Sequence, residues 1–237
     1  VRPYALALGV LPRRGVEQRL SFLGPALAFD VATALVLDTL GALSTFPVRH
    51  RVVVVDGDGA VERQTKLPAT WREQALRGAS QGDRIANALD DLGALGAEAM
   101  LLVSADGPML PLGQLFDAMM WLLPKGRLAL GPRKPSDDDG ADRGLYAIGS
   151  AEPVPYLRAL DGALGLDGHI DDAILPGLLD RVTAQAERAG QERMLLPPCY
   201  QIDSAEAVAQ LKIDVAAGLF APHCRKLLER PEFATMG

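Results

Sequence analysis

The chain has 237 residues, of which 49% are hydrophobic and 23% charged, and its 24 basic and 30 acidic side chains leave a net charge of −6. A chain of that length and composition packs as one globular domain with no need of disulfide or metal staples, and it is too apolar to be mainly disordered. The basic residues form no long run, which excludes a dedicated nucleic-acid binder with its phosphate-neutralising face.

Tyr4–Leu11 is a short apolar run that stops at Pro12, and it predicts a buried first strand. It is too short to cross a bilayer, and Arg13 and Arg14 follow it rather than precede it. It therefore reads as neither signal peptide nor membrane helix, and the expectation is a soluble, cytoplasmic protein without a membrane partner. The loop Pro12–Arg19 is basic and carries Gly15. From Pro25 to Leu43, the residues Leu27, Val31, Leu35, Leu37 and Leu40 recur at helical spacing. Arg51–Val55 is a β-branched strand bounded by Asp56-Gly57-Asp58-Gly59.

The stretch from there to Gly82 is polar. Asp83–Leu92 predicts a helix, Ala99–Val103 a buried strand closed by Ser104-Ala105-Asp106-Gly107-Pro108, and Leu112–Leu123 another helix. Strands follow over Arg127–Leu130 and Arg143–Ile148, separated by the acidic run Asp137–Asp139. Helical patterns cover Val154–Leu164 and Ile170–Ala189, and Met194–Leu196 predicts a last strand. Aromatic residues are only 5%, so the core must be built from Leu, Ala, Val and Ile. Cys199 and Cys224 match no metal-ligand spacing; they are either one bridge or two reduced thiols, and a cytosolic setting favours the thiols.

Apolar strands alternating with amphipathic helices predict an α/β domain over residues 1–237, with a mainly parallel sheet flanked by helices on both faces. A helical C-terminal extension is expected over residues 211–237. Ligands of such sheets bind beyond the carboxyl ends of the strands, so the loops after Leu11, Val55, Val103 and Leu130 hold the candidate site. Arg13, Arg14, Gly15 and Arg19 follow the first strand, Asp56 and Asp58 the second, Asp106 the third, and Lys134 with Asp137–Asp139 the fourth. Arginines facing carboxylates across a crevice suit a phosphate and its divalent cation, Mg²⁺ or Mn²⁺. No Walker lysine motif, no G-x-G-x-x-G after the first strand and no G-x-S-x-G elbow is present, which disfavours P-loop NTPases, dinucleotide dehydrogenases and α/β-hydrolases.

Several segments together carry a family resemblance. Val16-Glu17-Gln18-Arg19-Leu20 precedes a helix that ends in Val36-Leu37-Asp38-Thr39-Leu40. Gly82, Arg84 and Ala88 follow, then Ser104-Ala105-Asp106-Gly107-Pro108, then Gly131-Pro132. Asp142-Arg143-Gly144-Leu145-Tyr146-Ala147-Ile148-Gly149 and Gln201-Ile202-Asp203-Ser204-Ala205-Glu206 complete the series. In order and spacing these segments, from about residue 13 to 211, resemble the DUF2064 family of nucleotide-diphospho-sugar-transferase-like proteins. The resemblance implies a single-domain GT-A (Rossmann-like) fold and a metal-dependent glycosyltransferase using a nucleotide-diphosphate sugar.

The same resemblance distributes roles. It gives Asp106 and Asp203 to the cation. Arg19, Gly82 and Arg84, which match family positions, go to the nucleotide and Asp142 to the acceptor as general base, while Arg13, Arg14, Gly15 and Asp56 join the nucleotide site by their place at the strand ends. Each residue also has a plainer reading. Asp106 could cap the turn before Gly107-Pro108. Asp203 with Glu206 reads equally as a capping box. The three arginines and the acidic run suit a solvated surface, and Tyr146 suits either a ring stack or a core position with a satisfied hydroxyl. His169 at a helix start reads as surface rather than a metal ligand, and His50, His223 and Trp71 as structural.

The chain departs from the family pattern at Glu17, where a lysine is usual, and at Ser80, Gly107, Arg143 and Gln201. Two alternatives follow. One is a nucleotidyltransferase joining an NTP to a phosphorylated acid or sugar. The other is a nucleotide-binding module that has lost its chemistry. A homodimer through Phe220–Glu229 is open if Phe220, Leu227 and Leu228 share an apolar face.

Overall fold

The four valines of Val52–Val55 and the apolar run Ala99–Val103 leave no polar face to turn to solvent, so each must lie inside a sheet covered on both sides. The computed structural model, which describes residues 6–11, 20–55, 66–105, 107–134, 144–163, 178–202 and 204–234, builds that sheet. Its strands are β1 (Leu6–Leu11), β2 (His50–Val55), β3 (Arg72–Ala75), β4 (Ala99–Ser104), β5 (Arg127–Pro132), β6 (Leu145–Ser150) and β7 (Glu192–Leu195). They lie in the order β3-β2-β1-β4-β6-β5-β7. β6 runs antiparallel to both its neighbours, and every other pairing is parallel.

Among the described residues the α-helices are α1 (Pro25–Leu43), α2 (Gln81–Ala94), α3 (Leu112–Trp121), α4 (Leu178–Arg188), α5 (Ala205–Ala216), α6 (Pro222–Leu228) and α7 (Pro231–Ala234). Alternate strand residues feed two cores. Val53, Leu101 and Val103 pack with α1, α3, α5, α6 and α7 on one face. Val52, Val54, Met100 and Leu102 pack with α2, α4 and Leu157 on the other. The α/β architecture with helices on both faces is thus present as expected. Among the described residues α1 is the one helix long and apolar enough to cross a membrane, and Val31, Leu35, Leu40 and Leu43 bury it in the first core instead.

The structure revises four expectations. β3 lies in the stretch that read as polar loop: Arg72, Glu73 and Ala75 are exposed, so no apolar alternation marks it, and only the parallel ladder to Val52–Val55 makes it a strand. The helical pattern over Val154–Leu164 forms 3-10 turns over Pro155–Ala163. The C-terminal helices begin at Ala205 rather than after Leu211, and they are part of the fold, because Cys224, Leu227 and Phe233 are core residues. The apolar face proposed for a homodimer does not form as such: Leu227 is buried and Leu228 packs against the core, leaving Phe220 exposed.

Trp71 is buried and donates its indole N–H to Ser44 Oγ at 2.8 Å, a packing role. Asp38, of the Asp-Thr-Leu segment, is also buried. Its Oδ1 accepts from His223 N at 2.9 Å and lies 2.7 Å from His223 Nδ1, while Oδ2 accepts from Cys224 N at 2.9 Å. The carboxylate therefore caps α6 from 185 residues away in sequence.

Both cysteines are free thiols and buried. Burial and the neighbouring Asp38 carboxylate push the Cys224 thiol well above its usual range, and Cys199 donates its S–H to Met109 O at 2.9 Å. Neither should react with a thiol-specific disulfide reagent at neutral pH until denaturant unfolds the chain. Labelling of either thiol at the rate of a free cysteine in the native protein would contradict this packing.

Candidate functional site

With β6 reversed, the carboxyl ends of the other six strands and the amino end of β6 share one edge of the sheet. The chain winds outward from β1 to β2 and β3 on one side; on the other it passes from β4 to β5, turns back to β6 between them, and ends the sheet at β7 beyond β5. The crevice of an open α/β sheet lies where the winding changes direction, here between β1 and β4.

On the β4 side, one side chain ties the edge together. Arg133 directly follows β5 and is buried. Its Nε donates to Leu145 O at 3.0 Å, one terminal nitrogen donates to Ser104 Oγ at 3.2 Å, and the other donates to Gln201 Oε1. The residues after β7 extend its ladder: Leu196 N donates to Leu130 O at 2.8 Å, Cys199 N to Pro132 O at 3.2 Å and Lys134 N to Cys199 O at 2.9 Å. Gly107 sits against this stretch. A β-carbon on Gly107 would lie 3.3 Å from Tyr200 O and 3.5 Å from Cys199 Sγ, so a serine there would press on the backbone.

Tyr146 takes the core reading. It is buried, its hydroxyl donates to Pro197 O at 3.0 Å, and its ring lies over Gly131, where a β-carbon would come within 2.6 Å of Cζ. Burial pushes the phenol up, so it stays neutral.

On the β2–β3 side the amino end of α2 closes the edge. Ser80 is its N-cap and accepts from Asp83 N at 3.0 Å, a duty that the aspartate of the family pattern would fill equally well. Gly82 is buried in the first turn. Arg84 donates Nε to Gly78 O at 3.1 Å, fastening the preceding turn. Gly78 has φ +136° and lies so close to α2 that a β-carbon would meet Asp83 Cβ at 2.7 Å, so glycine is required there. From the 3-10 turns, Arg158 pairs with Asp83 at 3.3 Å and Asp90 at 2.8 Å and steadies the same helix.

Of the candidate residues, Gly82 and Arg84 are described and lie together at the start of α2. Arg13, Arg14, Gly15, Glu17, Arg19, Asp56, Asp58, Asp106, Asp137–Asp139, Asp142, Arg143, His169 and Asp203 lie outside the described residues. The capping box over residues 203–206 is corrected by one position. Ser204, not Asp203, is the N-cap of α5, accepting from Ala207 N at 3.2 Å. A hydrogen bond from its own backbone N–H, then one from Ser204, holds Glu206 below the usual carboxylate range. With the cap supplied by Ser204, Asp203 is not needed for it.

Among the described residues no group of three His, Cys, Asp or Glu side chains is arranged to hold a metal ion. In the sequence Arg133 is a lone arginine after a strand and carries no motif. The one available signal was its place just beyond Gly131-Pro132 at a strand's carboxyl end.

The open, mostly parallel α/β sheet with β6 reversed and helices on both faces is a GT-A-like fold. No protein-family model matches the chain, and no curated protein resembles it in sequence. Among solved structures it is similar to a nucleotide-diphospho-sugar transferase-like protein from Desulfovibrio desulfuricans G20, at 19% identity and a TM-score of 0.69, covering 98% of this chain and 93% of that one. It is also similar to a CMP:2-keto-3-deoxy-manno-octonic acid synthetase complexed with CTP, at 12% identity and a TM-score of 0.56, over 90% and 99% of the two chains. A cytidylyltransferase from Leptospira borgpetersenii serovar Hardjo-bovis matches at 13% identity and a TM-score of 0.56, over 95% and 94%. At these identities the likeness fixes the fold, and function must be argued from the site.

Proposed function

We propose that the chain is a transferase of the DUF2064 kind that binds a nucleotide-diphosphate sugar at the carboxyl edge and passes the sugar to an acceptor hydroxyl. The supporting observation is the switch point between β1 and β4, within a fold shared with a nucleotide-diphospho-sugar transferase-like protein. In this reading Arg13, Arg14, Arg19 and the backbone at Gly15 hold the diphosphate, with Asp56, Gly82 and Arg84 against the rest of the nucleotide. Asp106 and Asp203 would supply the hard oxygen ligands that Mg²⁺ or Mn²⁺ prefers, the ligand's phosphates completing the set. Ser104 and Gln201, bonded to Arg133, point into the fold and leave that task to the two carboxylates. Bound there, the cation would neutralise charge on the departing diphosphate. Asp142 would take the proton as the acceptor oxygen bonds to the anomeric carbon and the nucleoside diphosphate leaves.

Nucleotidyl transfer is the second reading, supported by the likeness to a CTP-bound synthetase and a cytidylyltransferase. The two differ in product: a glycosyl transfer releases a nucleoside diphosphate, a nucleotidyl transfer pyrophosphate. A module without chemistry loses part of its motive, because Ser80, Gly107 and Gln201 have structural duties here. Calorimetry with nucleoside di- and triphosphates, with and without Mn²⁺, tests the proposal. Metal-dependent binding of at least one of them is expected, and silence across the panel would overturn it.

A further inference from the structure

Three of the buried polar side chains among the described residues meet at one point: Arg133 is 8% exposed, Ser104 9% and Gln201 5%. A guanidinium stays charged at any pH the fold survives, so burying it is costly unless its rigid fork of donors is met. The acceptors described above belong to three separate segments: the end of β4, the start of β6 and the stretch before α5. Ser104 stands two residues before Asp106, Leu145 three after Asp142 and Gln201 two before Asp203. The anchors of all three carboxylates in the proposed reaction are thus held by a single side chain.

We infer that Arg133 is a positioning residue for nucleotide binding, fixing the three segments relative to one another so that the edge is formed before the ligand arrives. This role rests on the proposed function. Binding groups displaced by about an ångström lose much of their effect, so an edge whose clamp is removed should bind weakly even while the sheet stays folded. Lysine keeps the charge but presents one ammonium, which cannot meet three acceptors set in the plane of a fork. Methionine keeps the length of the stem and removes both charge and donors.

The test uses the full chain as Arg133→Met and Arg133→Lys. The probe is whichever of CTP, UTP, GTP, ATP and their diphosphates binds the parent best in Mn²⁺. Measured well below the unfolding midpoint, Arg133→Met should bind at least tenfold more weakly, and Arg133→Lys should recover part of the loss. Amide exchange in the Arg133→Met protein without ligand should rise in the peptides holding Ser104 and Cys199–Ile202. Equal affinity in Arg133→Met and the parent overturns the inference and leaves the proposed function standing. So does a weakening that tracks lowered stability with no recovery in Arg133→Lys. A parent silent with every nucleotide overturns the proposed function, and this role with it. Should Arg133→Met fail to fold, Ser104→Ala and Gln201→Met each remove one arm and should each weaken binding about threefold or more; unchanged affinity in both overturns the inference.

Discussion

Asp106→Ala is expected to weaken Mn²⁺-dependent nucleotide binding by about a hundredfold while leaving the unfolding midpoint nearly unchanged. Loss of one of two carboxylate ligands to a divalent cation is put at about 3 kcal/mol, and each 1.4 kcal/mol is about tenfold in affinity. The fold should survive because the flanking residues are secured without Asp106: Ala105 is 2% exposed, and Gly107 packs on Tyr200 and Cys199. Calorimetry with and without Mn²⁺, beside a thermal melt, reads both quantities. Binding equal to the parent would remove Asp106 from the site, and a collapsed melting curve would return it to the turn-capping role. Asp203→Ala and Ser204→Ala divide the late segment in the same way. With Ser204 as the cap, Ser204→Ala should lose about 1 kcal/mol of stability and Asp203→Ala should lose affinity instead.

Asp38→Ala should produce the opposite pattern, a large loss of stability with nucleotide affinity intact. The buried carboxylate accepts from His223 N and Cys224 N and contacts the His223 ring, so its removal strands two backbone donors and opens a gap between α1 and α6. Hydrogen bonds to a buried charge are worth about 1.5–3 kcal/mol each before relaxation, so about 3 kcal/mol is expected for the whole site. For a chain of this size that lowers the melting midpoint by about 6–12 °C. Asp38→Asn should fall between, because its amide nitrogen would face the Cys224 N–H, donor against donor. Denaturant unfolding of the three proteins checks the order. An Asp38→Ala protein as stable as the parent would show that α6 does not depend on this cap. One that keeps its stability but loses nucleotide affinity would put Asp38 at the ligand.

The Asp-Thr-Leu segment shows where sequence reading reaches and where it stops. Its likeness to a family pattern was visible in the sequence, but whether Asp38 serves a ligand or the fold was not, since its partners at 223 and 224 are remote in the chain. Gln201 is a similar case. Read along the chain it is an aspartate lost from a candidate site, whereas in space it is the partner of Arg133. Ser80 and Gly107 likewise looked like departures and prove to be a helix cap and a close backbone approach.

The strands over Arg51–Val55 and Ala99–Val103, each one residue longer in the fold, and the helix Pro25–Leu43 follow from local pattern alone, because a run of β-branched valines or a repeating apolar stripe has few other ways to leave water. β3 was decided only by tertiary structure: three polar residues and an alanine become a strand when a neighbour with unpaired backbone groups lies beside them. The same holds for the reversal of β6 and for the meeting of Ser104, Leu145 and Gln201 on Arg133. Those contacts join residues 12 to 68 positions apart, and a pairing at that range leaves no periodic trace in the sequence, because it depends on how the sheet is ordered rather than on any neighbour along the chain.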